Sequence, residues 1–343
     1  MMNLIALIVI SVFSTILRSE ELHLSDSHGP ISIMGDHFHK KGEMMFSYRF
    51  GQMKMNKIMN GTKILYPDNI TSAPNSASNG KGTYMNTPIS MGMNMHMFGA
   101  MYAPYDSMTL MLMSSFLKKE MKQKRMPMAG GNFFDVNSEG FGDTRLSGIF
   151  KIFDKKQVKT LLGLGLSFPS GSIDLRGKTP TSFSSRLGYS MQNGSGTLDN
   201  FIFINNVKKI GRLKVGERVL YKKTFTGKNV KGYKYGELFE AALWSSYSWK
   251  KNLSSSVKID YSFRKKMNGS DNEMNPRMSP AMDSYNQGYQ KLNIGFGVNL
   301  VNHYSFLKNN RIGIEGIFPI FQRYRGLQMR QSYRLIIGWQ YSF

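Results

Sequence analysis

Cysteine is absent from the 343 residues, so no disulfide staples this chain and no lipidated cysteine anchors it. Acidic residues are scarce, 22 against 45 lysines and arginines, which leaves a formal charge of +23. The basic residues are not gathered into one arm or helix. They recur along the chain in pairs such as Lys155-Lys156, Lys208-Lys209, Lys250-Lys251 and Lys265-Lys266, with no zinc-finger, basic-zipper or RNA-recognition signature, and this argues against a nucleic-acid partner. Histidine is rare as well, at six, and only His96 and His303 fall in the strand-bearing part of the chain. A hydrolase needs nucleophile, base and orienter within reach, and no such set stands out, so no enzyme is expected. Beyond the N-terminus there is no apolar run of the roughly 20 residues that a spanning helix needs. The mean hydropathy of -0.32 would suit a soluble protein. A membrane barrel passes the same test, because its lumen and lipid faces alternate along each strand.

The one long apolar run, Leu4 to Leu17, ends at Arg18-Ser19-Glu20-Glu21. It is too short for a span and suits a signal-peptide core, with cleavage near Ser19 to Glu21. Residues 1–19 are therefore expected as a signal peptide, 20–41 as a histidine-containing periplasmic leader, and 42–343 as the folded body.

In that body the dominant period is two. Tyr333, Leu335, Ile337, Trp339, Tyr341 and Phe343 alternate with Arg334, Ile336, Gly338, Gln340 and Ser342 up to the last residue. Leu253, Ser255, Val257, Ile259, Tyr261 and Phe263 alternate with Ser254, Ser256, Lys258, Asp260, Ser262 and Arg264. A period of two denotes strands; helices would place apolar residues three and four apart. Candidate strands lie at 42–56, 86–104, 106–121, 138–153, 156–168, 195–206, 211–225, 235–249, 253–266, 288–302, 309–322 and 330–343. Twelve is even, as single-chain bacterial barrels require. Short connections such as Ala103-Asp106 and Trp249-Asn252 alternate with long polar ones such as Lys57-Met85, Pro169-Gly194 and Met267-Gln287. That asymmetry matches periplasmic turns against outer loops. The expectation is an all-β, transmembrane, antiparallel up-and-down barrel with both termini periplasmic, in contact with outer-membrane lipid and delivered by the barrel-assembly machinery.

Several stretches, in order along the chain, carry a family resemblance. They are Gly35-Asp36-His37-Phe38-His39-Lys40-Lys41-Gly42-Glu43 with Phe46-Ser47-Tyr48-Arg49, Met95-His96-Met97 through Tyr102-Ala103-Pro104, and Gly140-Phe141-Gly142-Asp143-Thr144-Arg145. Ser167-Phe168-Pro169-Ser170-Gly171-Ser172-Ile173, Gly194-Ser195-Gly196-Thr197 and Gly338-Trp339-Gln340-Tyr341-Ser342-Phe343 complete the set. With them the chain resembles a family of outer-membrane transporter proteins loosely linked to the meta-pathway of phenol degradation. The resemblance implies an outer-membrane barrel and leaves the solute undefined. Asn205 to Tyr235, rich in lysine, shows no matching motif.

Three sets of side chains bear on function. Arg49, His96, Asp143, Arg145, Lys151, Lys258, Asp260, Arg264, Arg311, Glu315 and Arg334 are expected to line a pore whose basic excess favours anions; a closed, salt-bridged structural barrel is the alternative. Asp36, His37 and His39, with His23 and His28 nearby, form a candidate copper or zinc site ahead of the first strand; otherwise no cofactor is expected. Met91, Met93, Met95 and Met97 share the apolar face of one strand and are expected to meet lipid. Met45, Met53, Met55, Met111 and Met113 are expected on the lumen face with His96, as a soft-metal candidate or as flexible apolar filler. Asp271, Glu273 and Asp283 supply oxygen ligands without EF-hand spacing. The expected function is passive passage of small solutes across a bacterial outer membrane.

Overall fold

The computed structural model describes residues 29–35, 37–74, 77, 80, 82–155, 157–302 and 309–343. The expected signal peptide, Asp36, His23, His28 and His303 lie outside the described residues. The strands in chain order are β1 (Met44–Gly61), β2 (Lys63–Leu65), β3 (Asn86–Tyr105), β4 (Met108–Arg125), β5 (Phe133–Phe141), β6 (Thr144–Lys155), β7 (Val158–Phe168), β8 (Arg176–Thr179) and β9 (Ser182–Arg186). They continue with β10 (Asp199–Ile210), β11 (Leu213–Thr224), β12 (Tyr233–Lys234), β13 (Leu238–Lys250), β14 (Leu253–Arg264), β15 (Asn268–Gly269), β16 (Tyr289–Asn302) and β17 (Asn310–Ser342). No helix among the described residues is long and apolar enough to cross a membrane.

One antiparallel sheet runs β17-β16-β14-β13-β11-β10-β7-β6-β4-β3-β1 and closes where β1 pairs with β17. β17 is a single run of 33 residues, folded at Gly326 into a hairpin. Its first half, to Tyr324, pairs with β16, and its second half, from Leu327, lies along β1. Eleven continuous runs thus supply twelve staves. Gly326 holds φ at +67°, and a Cβ there would sit 2.0 Å from Asn286 Oδ1, so the turn demands glycine on both counts. Closure leaves no sheet edge in the hydrocarbon region, where an unpaired backbone group costs several kcal/mol.

The alternation inferred from sequence becomes the two sides of the wall. Phe46, Phe98, Leu112, Leu243, Ile259, Phe296 and Ile314 project outward and are exposed, together with many neighbours near the short-turn end. This outward apolar band is what a lipid-embedded barrel presents. The last strand completes it: Trp339 and Tyr341 stack with ring centres 6.4 Å apart, Tyr341 and Phe343 at 5.5 Å, and Phe343 lies 5.8 Å from Phe46 of β1. Paired Met44 and Phe343 backbones fasten the seam at 2.9 Å in each direction.

Towards the long-loop end β1, β3 and β4 run well past the band. At 20 residues β3 is about 65 Å of extended chain, more than a band about 25 Å tall needs even when tilted. Its upper outward positions are polar, Asn94 and Ser90, and those of β4 are Lys118, Glu120 and Lys122. This overturns one expectation. Met91, Met93, Met95 and Met97 do not meet lipid. Met91 and Met101 are buried on the inner face, and the methyls of Met95 and Met97 lie beside the inward-facing Gly51. The long connections fold back over this end as a cap. Leu187 and Met191 pack on Met91, Met121 and Met329, and Tyr189 and Tyr233 pack on Met267 and Met274. Burial pushes the Tyr233 hydroxyl up to about 12, so it stays neutral; beside it the Tyr189 hydroxyl accepts from the Asp271 amide at 2.9 Å and the Tyr235 hydroxyl donates to the Tyr189 carbonyl at 3.2 Å.

Candidate functional site: the lumen and its internal segment

The lumen is not empty. Residues 29–35, expected as part of a periplasmic leader, cross it from the β16–β17 wall to the β6–β10 wall. Arg311 Nη2 donates to the Gly29 carbonyl at 2.5 Å, Arg49 Nε to Ile31 at 3.0 Å, and Asn205 Nδ2 to Met34 at 3.3 Å. Arg218 also donates to the Met34 carbonyl, and Asn205 to that of Gly35. Ser32 is held from both sides: its amide donates to Glu315 Oε2 at 2.9 Å, and its hydroxyl accepts from Lys258 Nζ at 2.6 Å. The segment turns at Ile31-Ser32, where the Ile33 amide donates to the Pro30 carbonyl at 2.9 Å, and it joins no ladder, so wall side chains satisfy much of its remaining backbone. Apolar contacts secure it as well. Ile31 packs on Ile317 and Ile336, and Ile33 on Val207 and Trp244. Glycines at 313 and 338 leave room for Ile31, since a Cβ on either would come within 3.0 Å of it.

The charged residues expected in the pore fall into three groups. Arg49, Lys258, Asp260, Arg311, Glu315 and Arg334 form one inward network on β1, β14 and β17. Lys258 Nζ lies 2.9 Å from Glu315 and 3.1 Å from Asp260, and Arg334 is 4.0 Å from Asp260. Arg311 also reaches Asn299 at 2.7 Å and Gln340 at 2.7 Å. Glu315 is wholly buried, and its charge is offset by the Lys258 ammonium beside Oε1 and the Ser32 amide on Oε2. Arg145, Lys151 and Arg264 also occupy inward positions. Lys151 pairs with Asp154 at 3.3 Å and lies over the Phe38 ring, and Arg264 lies over Tyr235.

The other two expected pore residues are placed differently. Asp143 sits at the break between β5 and β6, where it accepts from the Gly171 amide at 3.1 Å and the Ser195 amide at 2.9 Å. It clamps two loops and brings together three of the sequence stretches that carried the resemblance. His96 is on the outer face. Its Nδ1 meets the Tyr48 hydroxyl at 2.8 Å, and its ring lies 5.3 Å from that of Phe50, which also faces outward. The register that turns the β3 methionines inward turns His96 out. Sequence reasoning missed Lys222, Asp199, Asn293 and Asn299, which also face inward; Lys222 and Asp199 pair at 2.8 Å. Lys222 and Asp199 lay in strands where the period was faint, whereas Asn293 and Asn299 lay on a clearly alternating strand and were passed over because they carry no charge.

Comparison with known proteins bears on the fold. No family model and no curated protein matches the chain. The barrel is similar in fold to a COG4313 outer membrane channel from Pseudomonas putida F1. The superposition has a TM-score of 0.59 at 10% identity and covers 91% of this chain and 100% of that one. The P. putida toluene transporter TodX superposes more loosely, with a TM-score of 0.43 at 10% identity over 89% of this chain and 91% of that one. Identity this low speaks for the barrel alone.

For the candidate metal site, His37 and His39 have ring centres 5.0 Å apart, edge to face, and His39 Nδ1 lies 3.5 Å from Glu43. No group of three or more His, Cys, Asp or Glu side chains converges among the described residues. At the long-loop end the cap encloses a pocket of about 190 Å³. Met121, Gln123, Val136, Arg186, Met191 and Met282 are among the residues lining it. Arg186 is buried there against Asp271 at 2.6 Å, and Asp174 also pairs with it.

Proposed function

We propose that the protein is a bacterial outer-membrane channel that passes small solutes passively, through a lumen narrowed by its own N-terminal segment. The observation that supports this reading is that segment: residues 29–35 are held across the lumen by discrete polar contacts from six strands, so that releasing it would leave the barrel wall intact. A barrel stabilised only as a structural body would have more use for apolar packing than for Arg311, Lys258 and Glu315 around a removable segment. Arginine and lysine exceed carboxylates on the inner face, which favours anions in the passage. Both termini would be periplasmic, the capped end would face outside, and assembly would depend on the barrel-assembly machinery reading the terminal aromatic strand. The resemblance to transporters linked with phenol degradation makes small aromatic solutes the first to try.

The test is conductance in planar bilayers for the full chain and for a barrel lacking residues 20–39. The deletion should raise conductance severalfold and keep chloride favoured over potassium. Two barrels equally silent, with liposomes impermeable to small aromatics, would leave a closed structural barrel as the better reading.

A further inference from the structure

The inner face of one wall is built from methionine. On β3, Met91, Met93, Met95, Met97 and Met101 all point into the lumen, at steps of about 7 Å for each pair of residues. Sheet register joins them to neighbours on the same face. Met45 of β1, Met101 and Met111 of β4 stand directly opposite one another in a row across three strands. Met55, Met91 and Met121 form a second such row, and Met53 faces Met93 between the two. The first row is buried close to the internal segment, where Phe38 packs on the same cluster. In the second, Met91 and Met121 are buried under the cap with Met55 half-buried beside them, and Met121 lines the 190 Å³ pocket.

Flexible filler is the plainer explanation of a methionine-rich interior, since the thioether chain fits irregular gaps. Filler has no reason to gather on one side of the barrel, yet the wall methionines keep to β1, β3, β4 and the adjoining half of β17, where Met329 packs with Met91 and Met121. From β6 round to β13 the apolar inner wall is Ile149, Leu161, Phe201, Phe203, Leu220 and Leu238, which carry no sulfur. Directly opposed side chains have Cβ atoms about 5 Å apart, so a row of three spans about 10 Å and flexible arms from both flanks can close on one ion. Thioethers are neutral, soft ligands that select Cu(I) and the chemically similar Ag(I) over hard cations. The two basic residues opposite this track, Arg49 beside Met97 and Lys119 beside Met93, are both bonded to backbone carbonyls. Their charge would repel sodium or potassium, which gain little from sulfur. A soft cation gains coordination that a hard one does not.

We propose that the inner face of β1, β3 and β4 is a thioether track that binds soft monovalent cations, Cu(I) or Ag(I), with the Met45–Met101–Met111 and Met55–Met91–Met121 rows as its two principal sites. The track needs only this wall and not an open lumen, so its failure and that of the channel reading can be told apart.

The experiment is calorimetric titration of the refolded, heat-modifiable barrel with silver nitrate in chloride-free buffer, with Cu(I) in competition against bicinchoninate as the second probe. The parent should take up two or more ions per barrel. Converting one row to leucine, which keeps apolar volume and removes sulfur, should lose one of them, and converting both rows should lose two. His37→Ala with His39→Ala should leave that loss unchanged. Met101→Leu alone, the mildest change, should weaken one site at least tenfold. A parent that binds neither ion, or leucine variants that bind as the parent does, overturns the proposal and leaves the methionines as compliant wall.

Discussion

At the scale of single residues, the wall depends on what lies across from its glycines. Phe203 and Phe201 of β10 lie over Gly163 and Gly165 of β7, and Trp244 lies over Gly216. A Cβ on Gly163 would come within 2.0 Å of the Phe203 ring. The ring is fully buried and cannot swing aside without disturbing Ile149 and Leu161. Gly163→Ala should therefore destabilise the barrel by about 1–3 kcal/mol, seen as a lower urea midpoint for loss of heat-modifiable protein. Gly92→Ala meets only the flexible end of Lys54 at 3.3 Å and should shift that midpoint little. Equal shifts would mean that the aromatic cover is not what fixes these positions.

Glu315 is the residue on which the internal segment most depends. Glu315→Ala would leave the Ser32 amide and Lys258 without that acceptor, and breaking a buried pair costs about 3–5 kcal/mol. The loss should appear as release of the segment, with chymotrypsin cutting at Phe38 and conductance rising. Adding Lys258→Met removes the stranded charge and should recover part of the global stability without restoring protection at Phe38. A segment equally protected in all three proteins would show that its apolar contacts suffice.

Among the elements, the last half of β17 has two separable jobs. Its outward side carries Trp339, Tyr341 and Phe343, whose rings suit the membrane boundary, and its final residue bonds to β1 at the seam. Deleting Phe343 should leave export to the periplasm intact and reduce inserted, heat-modifiable protein. The inner side carries Gln340, buried and accepting from Arg311. Gln340→Ala should assemble nearly as well as the parent but loosen the hold of Arg311 on Gly29, so its effect belongs in conductance. Comparable assembly defects in the two variants would refute this division.

For the molecule as a whole, the long-loop end is braced and the short-turn end is bare. Asp143 ties two loops together, Tyr84 donates to Asp283 at 2.6 Å, and Asn286 accepts from the Leu327 amide at 2.9 Å. With the cap outside, protease added to intact cells should cut in the exposed β8–β9 hairpin around Phe183 and spare the turns near Lys155 and Lys250. Cleavage confined to those turns would invert the barrel.

The sequence by itself determined the strands, their number and the seam. Period-two alternation follows from strand geometry alone, and closure needs an even set of staves ending in an aromatic face. Eleven of the twelve expected staves, such as 288–302 and 309–322, lie within five residues of those found. The stave expected at 138–153 proved to be β5 and β6, broken at Gly142-Asp143, and the loop hairpins carried too short a pattern to read. Alternation says which residues share a face and not which side that face takes. Inside the lipid band the apolar face must turn outward, as it does at Ile259 and Ile314. Above the band both faces meet water or protein, the rule loses its force, and β3 turns its methionines in and His96 out. Local sequence was equally silent on the internal segment. Gly29 to Gly35 has no periodicity of its own, and only the closed barrel, by placing Arg49, Asn205, Lys258, Arg311 and Glu315 around one space, gives its backbone groups partners.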